Sequence, residues 1–291
     1  MKFILLSDSC ADFGAEYYAR HQIELVSLSY LLDGDEQADR GETAQIDAFY
    51  ARLKAGEMST TSAVNTQTFY QTFERLYERR LPIVCLLFSS ALSATYSSGV
   101  AAREMFLEKH GDADIRVIDS LCASTGQGLL LDYARRLRDD GADADTVCDW
   151  LEENKLRLNH WFTVTSLTHL HKGGRVSAVS ASIGNMLNIR PLFWMDEQGR
   201  LTLVDKEHGN KKIIAALLNK VAERCDTSVP YAEQTIAVNY GADIEDVLPL
   251  KKALKQQFGF KKIIVSRVGT VVGAHTGPGV FAVYFLGQKR E

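Results

Sequence analysis

Three short apolar runs, residues 3–6, 82–88 and 115–118, each end on small hydroxyl or carboxylate residues, and a helical periodicity begins soon after each one. Strands alternating with helices in this way constrain the chain to an α/β fold built on a mostly parallel sheet. The helical patterns fall near residues 14–21, 45–54, 96–109 and 125–139, with a further extended run at 24–31. In open parallel sheets, ligands bind outside the carboxyl ends of the strands. The residues at those ends are Ser7-Asp8-Ser9, the stretch from Ser89 to Tyr96, and Asp119-Ser120. Any one of them is an ordinary helix cap, because a Ser, Thr or Asp side chain accepts from the first free helical N–H groups. Three at successive strand ends exceed what capping requires. For Asp8 and Asp119 the choice between a functional and a structural part stays open.

From residue 161 the pattern changes. A strand at 161–164 and a hairpin joining 189–195 to 201–204 through Asp196-Glu197-Gln198-Gly199 are followed by expected strands at 234–239, 262–265 and 280–286. Helices are expected at 210–224 and 243–258. The expected architecture is two α/β domains: an N-terminal parallel-sheet domain over 1–158 and a C-terminal mixed-sheet α+β domain over 159–291.

With 291 residues, 46% of them apolar, the chain can bury a substantial core. Its net charge of −4 gives no reason to expect affinity for nucleic acid, which rewards a concentrated basic face. The pairs Lys211-Lys212 and Lys261-Lys262 read as solvated surface. The opening apolar run stops at Ser7-Asp8, short of a secretory h-region, and nothing approaches the roughly 18 apolar residues of a membrane helix. Five widely spaced cysteines without a Cys-x-x-Cys pair argue against a disulfide framework and against structural zinc. A reducing cytoplasm is the expected location.

Three polar segments stand out: Ser59-Thr60-Thr61-Ser62, the serine-rich stretch 89–98, and the glycine-rich stretch 273–279 around His275. Each reads as a loop or helix start with short donors, and glycines near His275 let backbone approach a ligand closely. A plain turn explains the last of these equally well. Between Leu167 and Ser177, a basic turn with two glycines places Lys172 and Arg175 at a helix end, either as a glycine C-cap with favourable cations or as an anion-binding arginine. No Gly-x-Ser-x-Gly elbow, phosphate-binding loop or His-Glu-x-x-His helix is present, and Gly126-Gln127-Gly128 lacks the third glycine of a dinucleotide fingerprint.

Taken in order, Ser7-Asp8-Ser9, Thr61-Ser62, the stretch from Ser89 to Tyr96, Asp119-Ser120, the stretch from Leu170 to Ser177, Ile189-Arg190-Pro191 and His275-Thr276-Gly277-Pro278-Gly279 resemble the DegV family over essentially the whole chain. The resemblance implies a long-chain fatty acid enclosed in a tunnel between or within the two domains. It also implies a carboxylate site at Thr61, Ser93 and His275, with Ser62 and Thr276 beside them. It implies no catalytic residue, metal or cofactor in this chain. The implied partner is an ATP-dependent fatty acid kinase subunit that phosphorylates the bound carboxylate to an acyl phosphate for phospholipid synthesis. Arg175 would lie at the mouth where that partner docks, and transient membrane contact is compatible with loading. Ala94, Ala63-Val64 and Phe281-Ala282 depart from the usual family pattern, and all three touch loop shape or tunnel lining.

Two other readings stay open. One is an enzyme: a small-molecule kinase subunit binding a carbonyl compound through a histidine, or a hydrolase with its nucleophile in the serine loop. An activated base beside the nucleophile would mark it. The other is a lipid-responsive regulator without a kinase partner.

Overall fold

The computed structural model describes residues 2–176 and 188–291. The first half of the chain forms β1 (Ile4–Asp8), α1 (Ala15–Arg20), β2 (Ile23–Val26), β3 (Ser29–Leu32), β4 (Asp35–Ala38), α2 (Thr43–Lys54), β5 (Ser59–Ser62), α3 (Thr66–Tyr77), β6 (Ile83–Leu87), α4 (Thr95–Lys109), β7 (Ile115–Asp119), α5 (Thr125–Asp139) and α6 (Ala144–Asn154). The second half forms β8 (Leu158–Thr163), α7 (Thr168–Gly173), β9 (Ile189–Met195), β10 (Leu201–His208), α8 (Gly209–Arg224), β11 (Thr235–Tyr240), α9 (Leu248–Ala253), β12 (Lys262–Arg267), α10 (Thr270–Thr276) and β13 (Phe281–Leu286).

The α/β reading holds. A four-stranded sheet in the order β2-β1-β6-β7 is parallel throughout. Its inner strands β1 and β6 are buried along their whole length, which is why they read as continuous apolar runs and not as alternating ones. A six-stranded mixed sheet runs β10-β9-β8-β13-β11-β12, with β11 and β12 parallel and the other pairs antiparallel. Its strands alternate between two cores. Trp161 on β8 and Phe281, Val283 and Phe285 on β13 pack with Ile213, Leu217 and Leu250 from α8 and α9. Leu158 and Phe162, with Ala282 and Tyr284, face the other way, into the core of the parallel sheet.

Several segments fold differently from their sequence pattern. The run 24–31 is two strands: β2 joins the parallel sheet, and β3 is the middle strand of a small antiparallel sheet, β4-β3-β5. Ser59-Thr60-Thr61-Ser62, read as a loop or helix start, is β5, an edge strand held extended by antiparallel pairing with β3. The helix expected over 243–258 breaks into a 3-10 turn at Ile244–Asp246, α9, and a π turn at Leu254–Phe258. Pro249 lies in the first turn of α9, the position where its missing N–H costs nothing. The glycine-rich stretch 273–279 is the end of α10 followed by a short turn, so His275 stands on a helix. That helix and the small sheet share a core of Tyr30, Leu32, Phe49, Tyr50 and Ala274.

Candidate functional site

A cavity of about 180 Å³ lies where the carboxyl ends of the parallel strands meet the inner face of the six-stranded sheet. Leu28, Phe88, Ala123 and Ser124 line it from just beyond β2, β6 and β7, as the switch from strand to helix in a parallel sheet leads one to expect. Phe162, Met195, Leu201 and Tyr284 come from the six-stranded sheet, and Val271, Val272, His275 and Thr276 from α10. Most of the wall is apolar.

The rim gathers most of the residues singled out above. Side chains alternate along β5, so Thr61 points to the cavity and the neighbouring Ser62 is exposed, away from the cavity wall. Thr61 Oγ1 lies 2.8 Å from His275 Nε2. Ser93 forms the wall beside the start of α4: its Oγ accepts from the Thr95 N–H at 3.2 Å and pairs with Thr95 Oγ1 at 2.9 Å. Thr276 is buried in the wall, and its hydroxyl donates back to the Val272 carbonyl at 3.0 Å. Arg175 reaches the rim, where Nη1 donates to the Gly173 carbonyl at 2.6 Å and Nε to the Leu92 carbonyl at 3.3 Å. Ser177 lies outside the described residues.

Burial, followed by the positive charge of Arg175 and then His169, lowers the pKa of His275 to about 4, so the imidazole is neutral at pH 7. Its Nδ1 is buried and has no hydrogen-bond partner. That edge packs on Gly173: a Cβ there would lie 2.2 Å from His275 Nδ1, so the ring edge fills the space a side chain would need. The second glycine of the pair, Gly174, ends α7 at φ +67 and is the expected C-cap.

The inner end of the cavity is polar too, and sequence reasoning missed it. His160 donates from Nδ1 to the Leu158 carbonyl at 3.2 Å and accepts the Ala123 N–H on Nε2 at 3.3 Å, so both ring nitrogens are engaged. Gly126 makes room for this ring, since a Cβ there would lie 2.0 Å from Nε2. Ser124 donates to Asp12 and accepts from Asn239 Nδ2 at 2.8 Å, and Asn239 also reaches the Tyr284 hydroxyl at 2.8 Å. Ser124 adopts φ 53, ψ −144, a region costly for a residue with a Cβ, and these bonds hold it there. Its place after β7 was the available signal. For His160, on a strand with an apolar pattern, there was none.

Asp8 and Asp119 each hold backbone N–H groups of the loops after the parallel strands. Asp8 accepts the N–H groups of Cys10 at 3.0 Å and Phe88 at 2.6 Å, with Gln127 Nε2 at 3.2 Å, and burial raises its pKa to about 6. Asp119 Oδ1 accepts the N–H groups of Ser90 and Leu121 and ties two loops together. Among the described residues no group of three or more His, Cys, Asp and Glu side chains could hold a metal ion, and no helix is long and apolar enough to cross a membrane.

A sequence model of the DegV family, described as uncharacterised proteins, matches residues 2–288. A DegV domain-containing protein of Clostridium perfringens is 38% identical over 291 residues, covering 100% of this chain and 99% of the relative. A Thermotoga maritima protein whose structure is described as revealing fatty acid binding function is 28% identical, with a TM-score of 0.83 over 99% of this chain and 100% of that one. The Fatty Acid Kinase B3 protein of Streptococcus pneumoniae, loaded with linoleic acid, shares the fold at a TM-score of 0.84 and 21% identity, over 99% of this chain and 100% of that one.

Proposed function

The chain belongs to the DegV family, and from that premise we propose that it binds one long-chain fatty acid and presents the carboxylate at the rim to an ATP-dependent fatty acid kinase subunit. The observation that carries this reading is the division of labour among the polar groups of the cavity. The inner ones, His160 and Ser124, have their hydrogen bonds taken up within the protein, so an alkyl tail can lie against them without stranding a donor. The rim hydroxyls of Thr61 and Ser93 keep bonding capacity for a ligand, and the imidazole of His275 is placed to orient the Thr61 hydroxyl.

At roughly 10–15 Å³ for each water-sized group, the cavity takes on the order of a dozen of them, the scale of an acyl chain. Burying a chain of about 16 carbons yields on the order of 0.8 kcal/mol per methylene, roughly 12 kcal/mol before costs. Affinity then comes from the tail, and the head group needs only to be oriented and compensated for lost water. If Thr61 donates to the carboxylate, its oxygen accepts from His275 Nε2–H, which selects that tautomer. Arg175 at the rim and the N-terminal end of α4 beyond Ser93 add positive potential. Neutral donors orient the carboxylate without the bidentate arginine clamp that would compete with phosphoryl transfer.

The Thr61–His275 pair also has the separation of a nucleophile and base. A catalytic base is held by a third group on its far nitrogen, and here Nδ1 faces Gly173 with no partner. This favours a carrier over a hydrolase. The chemistry then belongs to the kinase subunit, in the cytoplasm, with the acyl phosphate passing to phospholipid synthesis.

The test is to measure fatty acid affinity and acyl-phosphate formation with an ATP-dependent fatty acid kinase subunit. Thr61→Val removes a bond to a charged group and His275→Ala removes the imidazole that orients that hydroxyl, and affinity should fall roughly 10-fold or more in each. Arg175→Glu should lower affinity modestly, through the lost positive potential at the rim, and slow acyl-phosphate formation by more than that loss accounts for. Unchanged binding and rates in all three would remove these residues from the site.

A further inference from the structure

A second cavity, of about 350 Å³, opens on the other side of the wall formed by Ser124 and Val268, between the connections that follow β1 and β4 and the β11–β12 edge. Two buried carboxyl groups face it: Asp12, 4% exposed, and Asp39, 1% exposed. Asp12 accepts the Gly269 N–H at 3.0 Å and the Ser124 hydroxyl. Asp39 Oδ1 accepts the Gly41 N–H at 3.2 Å, while Oδ2 is buried and meets no donor in hydrogen-bond geometry; the Thr270 and Ser9 hydroxyls and the Val271 N–H approach the carboxyl group. The guanidinium on this wall, Arg267, is turned to Asp47 and to the ring of Tyr50.

Both carboxyl groups look onto one small space. Gly269 packs against both: a Cβ there would lie 2.6 Å from Asp12 Oδ1 and 3.2 Å from Asp39 Oδ2, so the two carboxyl groups come together at this glycine. Aromatic rings stand beside it: Phe13 and Tyr17 are 4.4 Å apart between centroids, and Tyr18 meets Tyr17 edge-on at 6.1 Å. A carboxylate oxygen without a donor, a second carboxyl beside it and aromatic faces around them suit a positively charged N–H donor. They suit a metal ion poorly, since a hard cation takes six or more oxygen ligands and no metal-holding cluster exists among the described residues.

We propose that this cavity is a binding site for a small organic amine, with the ammonium group seated between Asp12 and Asp39. The site shares its wall with the cavity assigned above to the acyl chain. Ser124 lines that cavity and donates to Asp12; Val268 lines it and precedes Gly269; Leu28 lines it and donates its N–H to Ser9 Oγ, on the amine side, at 3.2 Å. The helix that begins at Thr270 carries His275. An occupant of one cavity therefore bears on the walls of the other, and any effect on affinity must be reciprocal.

The probes are putrescine and methylammonium, with sodium acetate as the comparison, titrated into the full chain at pH 7 by isothermal calorimetry and two-dimensional amide NMR. Saturable amine binding is expected, with shifts at the Gly41 and Gly269 amides. Binding should weaken at least 10-fold in Asp39→Asn, while fatty acid affinity without amine is retained. Thr43→Lys, at the exposed rim, should place a tethered ammonium in the same space and block the probes, which keeps the test decisive if Asp39→Asn fails to fold. Absence of saturable binding by either amine, shifts scattered over the surface, or equal binding by the wild type and the variants overturns the proposal. The amine is titrated without lipid, so such a failure leaves the fatty acid reading intact.

Discussion

His275 sits with Nε2 2.8 Å from Thr61 Oγ1 and its far edge in the space beside Gly173. Its pKa is lowered from 6.5 to about 4, so between these values the unfolded chain takes up the proton more readily than the folded one. This residue's contribution to stability is therefore present above about pH 6.5 and is lost as pH falls towards 4. Asp8 and Asp39, raised from 3.8 to about 6, act in the opposite sense: their contribution is present below 3.8 and is lost as pH rises through 6. Following the His275 ring protons by NMR should give a midpoint near 4 in lipid-free protein and a higher one with fatty acid bound, because a carboxylate favours the imidazolium. An ordinary midpoint near 6.5 without lipid would contradict the buried, neutral ring. Gly173→Ala tests the same packing: its methyl would push the ring off Thr61, so fatty acid affinity should fall to the level of His275→Ala while the circular dichroism spectrum stays native. Wild-type affinity in this variant would show that the ring position does not matter.

The elements determine which of these side chains meet. Strand β5 presents Thr61 and Ser62 to opposite sides, so Ser62→Val should leave fatty acid affinity within about twofold while Thr61→Val lowers it; equal losses would mean that the alternation does not decide the site. Much of this level was legible in the sequence. The buried runs of β1 and β6, the hairpin of β9 and β10, and α5 from Thr125 to Asp139 carry strong local patterns, and the resemblance to the DegV family grouped Thr61, Ser62, Ser93, His275 and Thr276 with Arg175 at the mouth, all of which but Ser62 line the cavity. The misreadings share a cause. Ser59-Thr60-Thr61-Ser62 has no apolar alternation to mark a strand; it extends because β3 pairs with it. The split at 24–31 between two sheets, the helix under His275, and the facing of Ser62 depend on partners distant in the chain. The inner network of His160, Ser124, Asn239 and Tyr284 comes from four separate elements or their ends, and single-sequence reasoning has no register that aligns them.

For the molecule as a whole, the arrangement of two sheets creates the cavity. The parallel sheet supplies strand ends with hydroxyls and helix starts, the six-stranded sheet supplies a broad apolar face, and α10 closes the space between them with His275 at the rim. In the proposed function this space holds one fatty acid. That occupancy is tested most directly by native and denaturing mass spectrometry of the purified protein, followed by organic extraction and identification of what is released. One non-covalent long-chain fatty acid per chain is expected, released on denaturation and rebound on adding it back. A protein that emerges empty and also rejects added long-chain fatty acids would rule out fatty acid binding in this cavity.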